Sequence, residues 1–380
     1  MNIIVNALPL QGLLTGISRY VRCLYTELLK TPEVSATFFN GVPLSAGMPS
    51  QAEPAAWAKS TALIWRLPDV LVAALRGVHF LNYERRLRAV CKKKKYAVYH
   101  ETGFIPPALP DVPIVYTLYD ISLVKYRAEH PRERIQFFDF FFKRRRKYAD
   151  HIITISEFMK QEIVTCLGFD PDRVTAIPLA SDPVFTPRQD GQIAAARAAL
   201  ALPKEYLLCV GTLEPRKNIT LAIQALAQAK TDIPIVLTGW QGWGDKGWWD
   251  VIKKAHLDKR VFITKYVTDE MLACLYSGAR ALVYPSFYEG FGLPVLEAMA
   301  CGCPVVCARS SSLPEVAGDA ALFVDPHDAG DCAAAIEKAV CDSALHDMLK
   351  IRGFTRAAAF SWQRTARRTL EVFDSLALRK

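Results

Sequence analysis

Two carboxylates and two cations stand out among the residues of this 380-residue sequence that could do chemistry. Glu289 and Glu297 flank the run Gly290-Phe291-Gly292-Leu293-Pro294, and Arg216 and Lys217 are adjacent in the run Gly211-Thr212-Leu213-Glu214-Pro215-Arg216-Lys217-Asn218. Glycines remove side chains where a ligand could approach the main chain, and the free N–H groups of a starting helix favour an anion. Two cations at a helix start add fixed charge to its dipole, a suitable seat for a leaving diphosphate. Two acids so spaced can meet opposite ends of one ligand, although a solvated loop acid and a helix-start acid would look the same. The chemistry in view is the holding of phosphates and sugar hydroxyls. A further candidate is His100, which ends a short strand ahead of Thr102-Gly103-Phe104-Ile105-Pro106-Pro107 and is placed to face the crevice beyond a sheet.

These residues need strands that deliver them and helices that follow. Ala279 to Val283 is an apolar run of strand length, and Val295 to Ala300 has helix-forming composition, with Pro294 suited to the first turn. Tyr206 to Val210 feeds the Arg216-Lys217 run, and a helix follows from about 219 to 229. Ile235 to Thr238 and Val261 to Thr264 are further strands, the second leading into Lys265-Tyr266-Val267. The first half repeats the alternation. It has strands at Ile3 to Leu8, Tyr96 to Tyr99, Ile114 to Leu118, His151 to Thr154 and Val174 to Ile177, and helices from Ile17 to Leu29, from Pro131 to Asp150 and, capped by Ser156, on to Cys166. Strands alternating with helices predict doubly wound parallel sheets, whose ligands bind beyond the carboxyl ends of the strands.

The length suits two domains, and 51% hydrophobic residues mark a globular chain. Lysine and arginine exceed the acids by nine, with clusters at Lys92 to Lys95 and Lys143 to Lys147. Such charge fits nucleic acid, phospholipid or a diphosphate substrate, and no nucleic-acid recognition motif accompanies it. The ten cysteines are scattered without a Cys-x2-Cys pair, as expected of small buried hydrophobes in a reducing cytosol. Nothing reaches the ~18 apolar residues of a spanning helix, and the start lacks a basic leader, so the expectation is a soluble or peripheral protein. Residues 43–60 read as an irregular loop. Ala62 to Lys95, with Trp65, Leu67, Leu71, Leu75, Val78 and Leu81 ahead of its basic end, fits either a membrane surface or a core-facing helix. The phenylalanines from Phe137 to Phe142, beside Lys143 to Lys147, leave the same alternatives open.

Glu-x7-Glu around Gly-Phe-Gly-Leu-Pro, continued by Ala298-Met299-Ala300, Gly302 and Pro304-Val305, resembles the donor-site signature of retaining glycosyltransferases of family 4, which have the GT-B fold. The Gly211-to-Asn218 run is a second match. Asp182-x-x-Phe185, Leu313-Pro314-Glu315 and Leu322 to Pro326 also fit the family. The resemblance implies an α/β protein of two doubly wound Rossmann-like domains facing across a cleft: an acceptor-side domain at 1–182, a linker at 183–204, a nucleotide-sugar domain at 205–355 and, at 356–380, a helix returning to the first domain.

By the same resemblance Glu297 holds the ribose, Glu289 lies beside the donor sugar, and the amides of Gly290, Phe291, Gly292 and Leu293 line sugar and phosphates. Gly211 and Thr212 approach the donor, Gly16 approaches the donor phosphate or the acceptor, and Tyr266 and Val267 meet the base. Arg216 and Lys217 neutralise the diphosphate, so no metal and no cofactor are implied. Many relatives have His-Asp where this sequence has Tyr119-Asp120, which leaves Asp120 a candidate acid or base and Tyr119 or His100 the contact to the sugar. The implied function is metal-independent transfer of a hexose, mannose from GDP-mannose, with retention, to a glycan or lipid-linked acceptor of bacterial surface polysaccharide. That places it in the cytoplasm or at the anionic inner membrane, without nucleic acid. A nucleotide-sugar epimerase of the same fold and a non-catalytic glycan-binding scaffold are the alternatives.

Overall fold

In a computed structural model the chain forms two compact units, Met1–Leu179 with Trp362–Lys380, and Ala180–Ser361. The residues described are 1–11, 16–44, 47–49, 68–240, 242 and 247–378. Gly12, Trp65, Leu67 and most of the loop expected at 43–60 lie outside them.

The first unit holds a six-stranded parallel sheet of β1 (Asn2–Asn6), β2 (Ser35–Phe39), β3 (Val98–Glu101), β4 (Ile114–Thr117), β5 (His151–Thr154) and β6 (Val174–Ala176), in the order β2-β1-β3-β4-β5-β6. β3 and β4 are buried at every residue, as parallel strands covered on both faces must be. The chain direction across the sheet reverses between β1 and β3. Around it lie α1 (Gly16–Leu28), α2 (Asp69–Lys93), α3 (Arg132–Arg145) and α4 (Glu157–Leu167), the last capped by Ser156 accepting from Met159 N.

The second unit repeats the design with β7 (Leu207–Val210), β8 (Ile235–Thr238), β9 (Val261–Lys265), β10 (Ala281–Tyr284), β11 (Val305–Ala308) and β12 (Ala321–Val324), ordered β12-β11-β10-β7-β8-β9. This is the strand order of dinucleotide-binding sheets, and its reversal falls between β7 and β10. Its helices include α5 (Asp190–Ala199), α6 (Ile219–Gln228), α7 (Asp269–Gly278) and α8 (Leu293–Ala300).

Two boundaries differ from expectation. The stretch 183–204 belongs to the second unit and carries α5, capped by a Gln189–Gln192 box and packed on α7, because its Ile193, Ala196 and neighbouring alanines make a good helix with a buried side. Residues 356–361 also stay with the second unit, and the helix that completes the first unit is α9 (Trp362–Ala377). α9 packs on α1 and β3 through Trp362, Thr365, Ala366, Thr369, Val372, Phe373 and Leu376, a stripe at helical spacing.

The two aromatic and basic helices each bury one side and expose apolar residues on the other. α3 turns Phe138, Phe141 and Phe142 inward and leaves Phe140 outside, its ring under the Arg144 guanidinium. α2 buries Val72, Tyr83 and Leu87 but leaves Val70, Leu71, Leu75, Val78 and Leu81 exposed, Val70 and Val78 by about two thirds. All ten cysteines are free, and Cys166 and Cys341 are exposed rather than buried. Among the described residues no helix is long and apolar enough to cross a membrane.

Candidate functional site

β7 and β10 are hydrogen-bonded neighbours on either side of the second sheet's reversal, so the loops beyond them meet. From β7 the chain passes Gly211, at φ 136°, into a 3-10 turn at Pro215–Lys217. Arg216 and Lys217 therefore sit in a turn just ahead of α6, which begins at 219 as expected, and Asn218, left-handed at φ 54°, separates the two. Asn218 Nδ2 donates to Pro285 O at 3.1 Å and Pro326 O at 2.7 Å, and Phe287 N donates to Arg216 O at 3.0 Å. These bonds pin the β7 loop to the β10 loop. Gly239, after β8, is φ 142°, and a Cβ there would lie 2.0 Å from Gly211 O, so no other residue fits.

The four charged groups converge here. Lys217 Nζ donates to Glu289 Oε1 at 2.6 Å and to the Tyr284 hydroxyl at 2.7 Å. Arg216 Nη1 reaches Glu289 Oε2 at 3.3 Å and Tyr288 O at 2.5 Å, and its Nη2 donates to Glu214 Oε1 at 2.6 Å. The Tyr284 hydroxyl donates to Glu289 Oε1 at 2.8 Å. Burial raises the Glu289 carboxyl's pKa, but Lys217 and Arg216 outweigh it and hold the group at about 2. The carboxylate is thus charged throughout the neutral range. The ammonium has three donors and two are engaged, so a third remains for a ligand oxygen.

The glycine-rich run closes the site. Gly290, Phe291, Gly292 and Leu293 are all buried. Gly292 caps α8 at φ 107°, where a Cβ would lie 2.7 Å from Leu313 Cδ2, so this glycine is required by the fold itself. Ser312 Oγ donates to both Glu289 O and Phe291 O, and Glu289 N donates to Ser311 Oγ. Pro294 occupies the first turn of α8 and no side chain caps it. Glu297 is buried on α8, accepting from the Tyr276 hydroxyl at 3.1 Å.

Thr212 O accepts from Glu214 N at 2.8 Å, and Leu213 N donates to Trp240 O at 2.8 Å. Trp240 stacks on Tyr266 at 5.5 Å, giving the ends of β8 and β9 an aromatic face, with Val267 half-buried next to it. Tyr284, Glu214, Asn218 and Trp240 went unremarked as site residues. Glu214 and Asn218 stand within the Gly211-to-Asn218 run, and Tyr284 directly follows the strand expected at Ala279 to Val283, so the signal lay in their position.

The remaining candidates belong to the first unit. Gly16 is the exposed first residue of α1. Asp120 is half-buried and accepts from Ser122 N at 2.9 Å. His100 does not face a crevice: it is wholly buried, its Nδ1 2.9 Å from the Tyr25 hydroxyl and its Nε2 2.8 Å from Thr117 Oγ1, with the Phe373 ring 5.2 Å away. Burial lowers its pKa to about 3, so it is a neutral core histidine. The period of two along β3 sends His100 to the α1 and α9 side, and Tyr99 and Glu101 to the other. Tyr119 turns its hydroxyl to Thr102 O at 3.1 Å.

Two Rossmann-like units of this kind are the architecture of GT-B glycosyltransferases. Solved structures share it: a sucrose-phosphate synthase from Thermosynechococcus elongatus (TM-score 0.71, 23% identity, both chains covered in full) and WaaG, a glycosyltransferase involved in lipopolysaccharide biosynthesis (TM-score 0.69, 15% identity, 98% of this chain and 99% of that one). Residues 15–185 match the glycosyltransferase family 4 model and residues 192–356 that of glycosyl transferases group 1. Over 99% of its length the chain is 32% identical to the O-antigen chain mannosyltransferase B of Escherichia coli, all of which is covered. It is 33% identical over 238 residues to the serotype-specific mannosyltransferase WbdA of Escherichia coli, 60% of this chain and 29% of that longer one. The chain belongs to glycosyltransferase family 4 and is a glycosyltransferase.

Proposed function

We propose that the chain transfers mannose from GDP-mannose, with retention and without a metal or cofactor, to a lipid-linked glycan in O-antigen synthesis. The observation that carries the sugar and the pathway is the end-to-end likeness to an O-antigen mannosyltransferase. The chemistry is supported by the cluster itself. Breaking the anomeric C–O bond leaves negative charge on the diphosphate, and Arg216 and Lys217 are fixed cations able to meet it in place of a divalent ion. Their bonds to Glu289 hold them before the donor arrives, so little reorganisation is needed at the moment of reaction. Glu289, ionised and rigid, orients the sugar, while Glu297 and the Trp240–Tyr266 face take the nucleoside end.

The purified protein, given a mannosylated lipid acceptor, is expected to transfer from GDP-mannose in the presence of a chelator and to keep the α configuration by proton NMR. Transfer from UDP-glucose but none from GDP-mannose would overturn the mannosyl reading.

In the same reading the enzyme works at an anionic bilayer. Residues 68–95 and 131–147 carry fifteen Lys and Arg against four Asp and Glu, an excess of eleven where the whole chain's is nine. The exposed apolar stripe of α2 leads straight into this basic end. Apolar insertion next to cations, each contributing about 1 kcal/mol near anionic lipid, suits a peripheral contact. Leu75→Asp with Val78→Asp is expected to abolish sedimentation with phosphatidylglycerol vesicles while leaving the melting temperature unchanged.

A further inference from the structure

A cluster in the first unit lies outside the donor chemistry. β1 and β3 flank the reversal of the first sheet, the position where doubly wound sheets bind ligands, and their carboxyl ends are Asn6 and Glu101. Glu101 is buried, and three donors meet its carboxylate: Asn6 Nδ2 and Gly103 N on Oε1, and the Tyr99 hydroxyl on Oε2, each at 2.6 Å. No cation pairs with it among the described residues. The chain is shaped around the group, because a Cβ on Gly103 would lie 2.7 Å from Oε1 and 3.0 Å from Asn6 Nδ2.

The clasp reaches three loops. Asn6 Oδ1 accepts from Leu8 N at 3.0 Å, beyond β1. Thr102 Oγ1 donates to Asn6 O at 2.7 Å, beyond β3. Thr102 O in turn accepts from the hydroxyl of Tyr119, beyond β4.

Burying a carboxylate without a counter-ion is costly, and glutamine has the same shape. Its oxygen could accept from Asn6 and Gly103. Its amide could donate to Tyr99, whose hydroxyl can then turn to Tyr83, 3.1 Å away. A fold that needed only these hydrogen bonds would be served better by glutamine, so the charge has another use. Resting on the transferase reading, we propose that Glu101 is a positioning residue for the reaction, its carboxylate setting the loops beyond β1, β3 and β4 to receive the acceptor.

Burial pushes the Glu101 carboxyl up to about 7, against the lowering by Tyr99, Asn6 and Gly103. The phenols facing it from α2, β3, β4 and the loop beyond, Tyr83, Tyr99, Tyr116 and Tyr119, are held well above their ordinary range by burial. His100 is held neutral by burial, Glu84 is paired with Arg88 and Arg145, and Asp120 accepts from Ser122 N. Near pH 7, then, it is Glu101 whose charge changes among these phenols and His100. Its pKa is higher folded than unfolded, so its contribution to stability is full below about 4.5 and lost as pH rises through about 7. Stability favours the protonated clasp and positioning favours the ionised one.

The test compares the full-length wild type with Glu101→Gln and Gly103→Ala, measuring kcat and the acceptor KM from pH 5.5 to 8.5 alongside melting temperatures. The wild type should show an acidic limb in kcat/KM for the acceptor with a midpoint near 7. Glu101→Gln should remove that limb and lower kcat/KM for the acceptor about tenfold to a hundredfold, with the donor KM unchanged and the melting temperature at pH 8 equal to or above wild type. Gly103→Ala should reproduce the acceptor loss. Wild-type rates with an unaltered limb in Glu101→Gln, or a loss matched by a lower melting temperature, would show a structural role alone. If UDP-glucose serves and GDP-mannose does not, the mannosyl reading fails, and the same comparison run with UDP-glucose still decides the role of Glu101.

Discussion

Lys217 is the residue on which the electrostatics of the Glu289 cluster turn. It is the nearer of the two cations that keep Glu289 ionised, and the pair of bonds it makes ties Tyr284 of β10 to a turn beyond β7. The depressed carboxyl of Glu289 contributes stability that is present above about 4.5 and lost as pH falls through about 2. Lys217→Met, which keeps the stem and removes the charge, should therefore lower the melting temperature at pH 7 and bring the acid loss to higher pH, the gap to wild type narrowing towards pH 3. The same change should cost about a hundredfold or more in kcat, as for loss of one transition-state donor. The sequence run around Arg216 and Lys217 pointed to a phosphate seat because charge and a strand–turn–helix context are local properties. It could not say that Glu289, seventy-two positions on, would neutralise them, since that contact depends on which strands are neighbours.

At the scale of elements, the site depends on how closely two loops can approach. Gly211 and Gly239 end adjacent strands, and the carbonyl of one occupies the space of a side chain on the other. Gly239→Ala should destabilise the second unit by on the order of 3 kcal/mol, combining a left-handed φ with a main-chain overlap, read by urea titration. A loss under 1 kcal/mol would mean that the loops part easily. Glycine in such a loop is legible as a turn, but its partner is not: the sequence does not show that residues 211 and 239 face each other. The same limit explains His100. Position at a strand end suggested a crevice, whereas alternation along β3 and the arrival of α9 place it in the core.

At the scale of the whole chain, α9 returns to complete the first unit. α9 supplies the first unit with Trp362 and Phe373, the latter against His100, although all the residues between 180 and 361 belong to the other unit. Phe373→Ala should cost about 3–5 kcal/mol and lower hydrogen-exchange protection in β1 and β3 while leaving β7 and β10 unchanged. Two wound sheets were legible from alternating apolar runs, and the returning helix from family resemblance. The exact exchange points were not, because α5 looks like connecting chain until α7 is there to cover it.

The claim beneath all of this is that the turn beyond β7 holds the donor's diphosphate. Calorimetric titration with GDP-mannose, and with guanosine as the control lacking phosphate, tests it most directly. Arg216→Ala and Lys217→Met should each weaken GDP-mannose binding about tenfold or more, the size of a charge-assisted hydrogen bond, and leave guanosine binding as in the wild type. GDP-mannose binding at wild-type affinity in both variants would contradict the account.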